Sequence, residues 1–373
     1  MLDRLADLRD LLDAAAATRA RGGRGDRGQV ARAEAALARD PSCLSFGADG
    51  AARLVVGDRV YHAGRFEAPT IGDLRRRVGG PGDGPRARLR LVVLLGTGPL
   101  TDIGGLQARA APGTLFQVAS QFNGLEAPGP YLVPVADYFN DPTQGPRAAI
   151  SAFPGALLRH YAAPAPDGGR FEQTAARQLD LLADALPPEV ARVRNGYLSS
   201  DGVRDPAALA RALEAGFERI RVGVHEGVEV VLGHDWDGPV EGAPRIAQVF
   251  TSTYASGYSR GGALGADHDA VCGHLLRAAY LGTLLAAATL GQRTVVLTAI
   301  GGGVFRNPHP LIWASICRAC DEVAPLLARP LDVVLNGRDL TVPRERLLDD
   351  AVGRGGLLVE VERGRLVVPL PPR

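Results

Sequence analysis

The stretch that most constrains this chain runs from Val295 to Pro308. Val295-Val296-Leu297-Thr298-Ala299-Ile300 is an apolar run rich in β-branched residues, the pattern of a strand buried on both faces. Gly301-Gly302-Gly303 follows, where backbone must approach something closely or adopt positive φ. Val304-Phe305-Arg306-Asn307-Pro308 then leads into Leu311-Ile312-Trp313-Ala314-Ser315-Ile316, which has helical apolar spacing. Strand, glycine loop and helix in that order present free backbone N–H groups to an anion at the carboxyl edge of a parallel strand. A diphosphate cradle and a bare strand-to-helix turn both fit this spacing. It is neither the Rossmann fingerprint nor a P-loop, because no Gly-Lys-Ser/Thr follows.

A sheet built around that strand is supported on both sides of it. Gln248 to Ala255 reads as a strand, followed by the glycine-rich stretch 256–265, Asp267, His268 and Asp269, and a helix over roughly 270–290 with Leu281, Leu284, Leu285 and Ala288 on one face. Strand, helix, strand, glycine loop, helix makes a βαβα unit with a parallel pair. Residues 88–95 and 331–335 are further buried strands, and 357–368 reads as an edge hairpin. In 114–126, Phe116, Val118 and Phe122 alternate with Gln117, Ala119, Gln121 and Asn123. Amides along one face can read a ligand's hydroxyls and carbonyls; the other reading is an edge strand with a wet face.

The remaining segments follow from local signals. Residues 1–40 read as helix, with Leu2, Leu5, Leu8, Leu11 and Leu12 on one face, interrupted by the Arg/Gly run 19–28 and resumed over 30–38. Residues 53–61 suggest a hairpin turning at Gly57-Asp58, and 70–78 a short capped helix. Helices are expected over 148–161, kinked at Pro154, over 173–186, and over 206–216; strand pieces are expected at 220–224 and 228–232. The long Pro/Gly-rich loop 127–146 is of the kind that often carries function. The division that results is an N-terminal helical and β extension or cap (1–86), a main domain (87–345) and C-terminal edge strands (346–373).

Composition narrows the partners. With 42 basic and 41 acidic side chains the net charge is +1, which gives no reason to expect nucleic acid or an anionic membrane. No run reaches the ~18–20 apolar residues of a membrane span, and the start lacks a signal-peptide core, so the expectation is a cytoplasmic protein. The four cysteines form no disulfide framework. His268 and His274 lie near acids, but nothing completes a ligand set, so no metal is expected.

The motifs Phe116-Gln117-Val118-Ala119-Ser120-Gln121-Phe122-Asn123 with Leu125-Glu126, Asp141-Pro142-Thr143-Gln144-Gly145-Pro146, Arg194-Asn195-Gly196-Tyr197, and Gly301-Gly302-Gly303-Val304-Phe305 with Asn307 resemble a macrodomain-like group. Within it the chain is most similar to hydrolases that remove ADP-ribose from arginine, including from ADP-ribosylated ubiquitin, and more distantly to poly-ADP-ribose glycohydrolase. The resemblance covers roughly 90–340. It implies an α/β protein with a three-layer α/β/α macrodomain-like mixed sheet, and ADP-ribose as ligand and product with no further cofactor. It also implies Gly301 to Phe305 around the diphosphate, Phe305 near the distal ribose, Asn123 bonded to that ribose and Glu126 beside it.

Cleavage of an N-glycosidic bond passes through an oxocarbenium-like transition state, which a carboxylate can stabilise and for which it can activate water. The candidates are Glu126, Asp267 and Asp269, with Glu126 at the ribose. The two aspartates either hold ribose hydroxyls or a target guanidinium, or cap the helix that follows them. The candidate ligand-binding residues are Gln121, Phe122, Asn123, Thr251, Ser252, Tyr254, Gly301, Gly302, Gly303, Val304, Phe305 and Asn307. Two other functions fit the same motifs: a module that binds ADP-ribose without turnover, and a hydrolase of a free nucleotide sugar.

Overall fold

The computed structural model describes residues 26–80, 88–96, 101–233, 236, 240–261, 263–362 and 365–367. The helix expected over residues 2–12 and most of the arginine/glycine run after it lie outside the described residues.

The strands, in chain order, are β1 (Leu44–Phe46), β2 (Ala52–Val56), β3 (Arg59–Glu67), β4 (Leu89–Leu95), β5 (Thr114–Ala119), the short pair β6 (Ala163–Pro164) and β7 (Arg170–Phe171), β8 (Gly223–Glu229), β9 (Arg245–Thr251), β10 (Thr294–Thr298), β11 (Leu331–Asn336), β12 (Leu357–Glu362) and β13 (Arg365–Val367). All but β6 and β7 join one sheet of order β1-β2-β3-β8-β9-β5-β10-β11-β4-β12-β13. From β9 to β12 every pairing is parallel. The flanking pairs, from β1 through β9 and from β12 to β13, are antiparallel. The sheet is therefore mixed, with β10 at its parallel centre, and β3 ties the N-terminal strands into it by pairing with β8.

Alternation along the central strands sends side chains into two cores. Leu91, Val93, Val295, Leu297, Val333 and Leu335 enter one, and Val92, Leu94, Val296 and Val334 the other. The first core lies under α2 (Ile71–Val78), α6 (Pro206–Ala215), α7 (His268–Thr289), α8 (His309–Val323) and α9 (Arg344–Gly353). The second lies under α1 (Arg27–Arg39), α3 (Ile103–Ala108), α4 (Gln144–Ser151) and α5 (Phe153–Tyr161). This is a three-layer α/β/α arrangement. Helix α7 is long and apolar enough to span a bilayer, yet 78% of its apolar window is buried inside the fold, as befits a central core helix.

Local chemistry explains most boundaries. Thr70 and Asp73 close a reciprocal capping box at the start of α2. The β2–β3 hairpin turns at Gly57-Asp58, and Val55 pairs with Val60 across it. Pro154 does more than kink the helix expected over 148–161: the chain breaks at Ala152 into α4 and α5, with Pro154 in the first turn of α5, where its missing N–H costs nothing. Instead of separate pieces at 220–224 and 228–232, one strand, β8, spans 223–229, with an irregular register between His225 and Val228; 220–222 and 230–232 lie outside it.

The helix expected over 173–186 does not form; the segment runs as turns. Tertiary bonds take its polar groups instead. Gln173 donates from Nε2 to the carbonyls of Asn123 and Arg159, both at 2.9 Å, and the Leu181 N–H donates to the Phe122 carbonyl at 2.9 Å. Leu181 and Leu182 are still buried, so the apolar pattern marked burial and not helix.

Candidate functional site

A parallel sheet gathers its following loops at one edge. Here the loops after β4, β5, β10 and β11 meet the first turn of α4, together with Tyr197 and Tyr258, around a cleft of about 530 Å³.

The loop after β10 forms one wall. The Gly302 N–H donates to the Ala299 carbonyl at 3.0 Å, closing a turn. The N–H groups of Gly301, Gly303, Val304 and Phe305 have no acceptor among the described residues. Two side chains hold the loop from behind. Asn307 donates from Nδ2 to the Tyr254 carbonyl at 2.9 Å, and its own N–H donates to the Gly301 carbonyl at 2.9 Å. His309 accepts from the Thr341 N–H at Nδ1, 2.8 Å, which leaves its proton on Nε2 to donate to the Gly302 carbonyl at 2.9 Å. Gly301 sits at φ 73°, and a Cβ there would lie 2.3 Å from Thr253 Oγ1 and 2.7 Å from Asn307 Nδ2, so only glycine fits.

Acids line the cleft as well. Glu126 is 3% exposed and its Oε1 has no partner. Burial pushes its carboxyl well above the usual range; the buried Arg159 opposes that shift and the negative charge of Asp141 adds to it. The α4 backbone presses directly on this group: a Cβ on Gly145 would be 2.6 Å from Glu126 Oε2 and 2.5 Å from the Ala119 carbonyl. Asp141 lies at the start of the same turn, where its Oδ1 accepts from the Thr143 N–H at 2.9 Å. Arg159 donates from Nε to the Gly124 carbonyl at 2.9 Å, approaches His225 Nδ1 at 2.8 Å and lies 3.6 Å from the Phe250 ring centre. Burial lowers this guanidinium to about 9 and, with Arg159 beside it, drives His225 far below its ordinary value. At the other end of the cleft stand Asp102, bridged to Arg147 at 2.8 Å, and Asn336, Arg338 and Asp339. Asn336 donates from Nδ2 to the Thr101 carbonyl, and its buried Oδ1 has no partner. Tyr197, Tyr258 and Phe305 form a mutually touching aromatic group beside the loop, with ring centres 5.0–5.8 Å apart.

Of the residues expected from sequence, Gln121, Glu126, Gly301, Gly302, Gly303, Val304 and Phe305 line the cleft. Phe122, Asn123, Thr251, Ser252, Tyr254 and Asn307 do not; each is at most 4% exposed and lies behind it. The amide face is covered, and of its amides only Gln121 reaches the cleft. Gln117 donates to Ala279 and Thr283. Gln121 donates from Nε2 to the Ala127 carbonyl at 2.7 Å and to the Tyr197 hydroxyl at 3.0 Å. Asn123 accepts from the Leu125 N–H and donates to Gln178, both at 3.0 Å. These amides fold the loop that carries Glu126.

Asp267 and Asp269 are also outside the lining. The chain passes Tyr254, whose ring packs on His268, before α7 begins, and the Asp267 side chain makes no capping bond there. Sequence reasoning did not single out Asp102, Asp141, Tyr197, Asn336 or Asp339. The signals were present: Asp141 and Tyr197 belong to motifs quoted above, and Asp339 follows a buried strand. Among the described residues no three metal-binding side chains converge.

No family model and no curated protein sequence matches the chain. Among solved structures it is similar to poly(ADP-ribose) glycohydrolase from Thermomonospora curvata, with 16% identity over 88% of this chain and 98% of that one and a TM-score of 0.45. It is also similar to poly(ADP-ribose) glycohydrolase from Deinococcus radiodurans in complex with ADP-ribose, with 15% identity, 78% and 91% coverage and a TM-score of 0.38. At such distances the chemistry has to be read from the cleft's own residues.

Proposed function

We propose that the cleft binds ADP-ribose and that the chain is an ADP-ribosyl hydrolase cleaving the N-glycosidic bond to a modified protein side chain, arginine in the leading reading. The observation that carries the proposal is the pairing of two features in the lining of one cleft: four unspent N–H groups on the β10 loop, and a buried carboxyl with an unpartnered oxygen. Backbone amides in a concave loop suit a diphosphate. A carboxyl whose proton is held more tightly because it is buried suits a proton donor.

In this reading the ribose attached to the diphosphate lies between the loop and the wall formed by Glu126 and Asp141. Water attacks the anomeric carbon as its bond to the guanidine nitrogen breaks. Asp141 takes the proton from the water, and Glu126 gives one to the departing nitrogen. The two acids then exchange a proton through solvent to restore the starting state. The enclosure of Glu126 beside a half-buried Asp141 supports this division of roles.

The experiment is incubation of the purified chain with arginine-ADP-ribosylated protein, following free ADP-ribose, beside a Gly302→Glu variant. A glutamate there would crowd His309 Nε2, 2.8 Å from the added Cβ, and set a negative charge among the amides. Release by the parent, with calorimetric ADP-ribose binding lost in the variant, is expected. Unchanged affinity in the variant would refute the cradle; binding by the parent without release would make the chain a reader of ADP-ribose.

A further inference from the structure

Helix α1 belongs to the N-terminal segment, yet its buried carboxylate reaches the short helix that precedes the cleft wall. Glu34, 6% exposed, lies on the buried face of α1 with Val30, Ala33 and Leu37. Its carboxylate accepts from the Val135 N–H at 2.6 Å, the Ala136 N–H at 2.9 Å and the Tyr161 hydroxyl at 2.9 Å. The two backbone donors open the 3-10 helix Val135–Asn140, whose own N-cap, Pro134, has no side chain able to satisfy them. A residue some hundred positions upstream therefore caps this helix. Arg27, at the start of α1, holds the other end: it bridges Asp137 at 2.5 Å and donates to Asn140 Oδ1 at 3.3 Å. The next residue is Asp141, and 141–147 lines the cleft.

We infer that α1 is a clamp that sets the height of the 141–147 wall over the ribose site, and that Glu34 is the positioning residue through which it acts. The argument is mechanical. Loop 127–143 has only the short 3-10 helix Val135–Asn140 of its own, so its path between Glu126 and α4 depends on what grips it. Hydrogen bonds to a buried carboxylate are roughly twice as strong as neutral ones, and two of them fix adjacent peptide planes. Losing them frees Asp141 and Gly145 to move relative to Glu126, which disturbs proton transfer before it disturbs the backbone cradle of the β10 loop. This role rests on the hydrolase reading for its consequence in turnover, but not for the clamp itself.

The test uses the full chain carrying Glu34→Gln, which keeps size and one acceptor, and Glu34→Ala. Hydrogen exchange should speed at least tenfold at amides 135–143 and stay unchanged in β10 and α7. kcat should fall at least tenfold, with KM and ADP-ribose affinity within threefold. If Glu34→Ala does not fold, Glu34→Gln alone decides. Unchanged exchange at 135–143, exchange raised evenly through the domain, or raised local exchange with full kcat each overturns the inference. Should the parent release no ADP-ribose, the hydrolase reading fails while the exchange arm still decides the clamp.

Discussion

Replacing Glu126 by glutamine tests the chemistry and the electrostatics of the cleft together. The amide fills the same space, so the packing against Gly145 and Ala119 is kept, but it cannot donate a proton as an acid does. General acid–base groups contribute about 10²–10⁴ in rate, so turnover should fall by that factor, roughly 3–5 kcal/mol of barrier. Ligand affinity should change little, because the diphosphate contacts come from backbone N–H groups on the β10 loop. A hydrogen bond between the ligand and this side chain, altered by the substitution, is worth about 1 kcal/mol, under tenfold in Kd. Stability should move the other way. Burial raises the carboxyl of Glu126 in the folded chain above its ordinary 4.5. Below about pH 4.5 both folded and unfolded chains carry it neutral, and no penalty exists. Above that pH the unfolded chain ionises first, so the parent loses about tenfold in folding equilibrium per pH unit until the folded group ionises too. Glutamine is neutral throughout. Urea melts should therefore show Glu126→Gln matching the parent near pH 4 and exceeding it near pH 8, while turnover assays show the loss. Turnover within threefold of the parent, or a stability difference equal at both pH values, would refute the reasoning.

Two further substitutions separate binding from catalysis. Gly301→Ala places a side chain at φ 73° and a Cβ against Thr253 and Asn307. The backbone strain alone costs about 1–2 kcal/mol, and ADP-ribose affinity measured by calorimetry should drop at least tenfold; parental affinity would contradict a loop held in one shape. Gly145→Ala drives a Cβ into the Ala119 carbonyl and Glu126 Oε2. Overpacking of this kind costs about 1–3 kcal/mol, and turnover should fall more than affinity. Equal losses in both would show that the α4 turn does not act through Glu126.

How much of this was legible in the sequence depends on whether a signal was local. The buried runs at 91–95, 295–298 and 331–335 became parallel neighbours because residues apolar on both faces suit only a covered sheet. The β10 loop was legible for the same reason: three glycines after such a strand fix where backbone is bare. The amide face of 114–123 was misread because alternation reveals two faces but not what covers the second. Here α7 and the turn at Tyr197 cover it, and the amides bond to them. The segment 173–186 failed for a related reason, since helical spacing of leucines cannot show that Asn123 and Phe122 will take its hydrogen bonds. Asp267 and Asp269 looked placed by proximity to a strand end, but sixteen residues of loop are long enough to carry an acid away from the edge.

The distribution of polar groups gives the cleft its logic. Nearly every side-chain amide near the end of β5 is committed within the protein, and the groups that this reading sets to binding and chemistry are main-chain N–H groups on the β10 loop and carboxyls elsewhere in the lining. Main-chain donors cannot be tuned by titration, and they hold a diphosphate equally at any pH near neutral. Carboxyls respond to every nearby charge: Glu126 is pulled one way by Arg159 and the other by Asp141. Binding and chemistry thus rest on different kinds of atoms, carried by different loops and braced by different elements, His309 and Asn307 for the cradle and α1 for the acidic wall. It follows that damage to one wall should leave the function of the other measurable. A variant that abolished turnover and ADP-ribose binding together, with the fold intact and a substitution confined to the acidic wall, would show instead that the carboxyls hold the ligand.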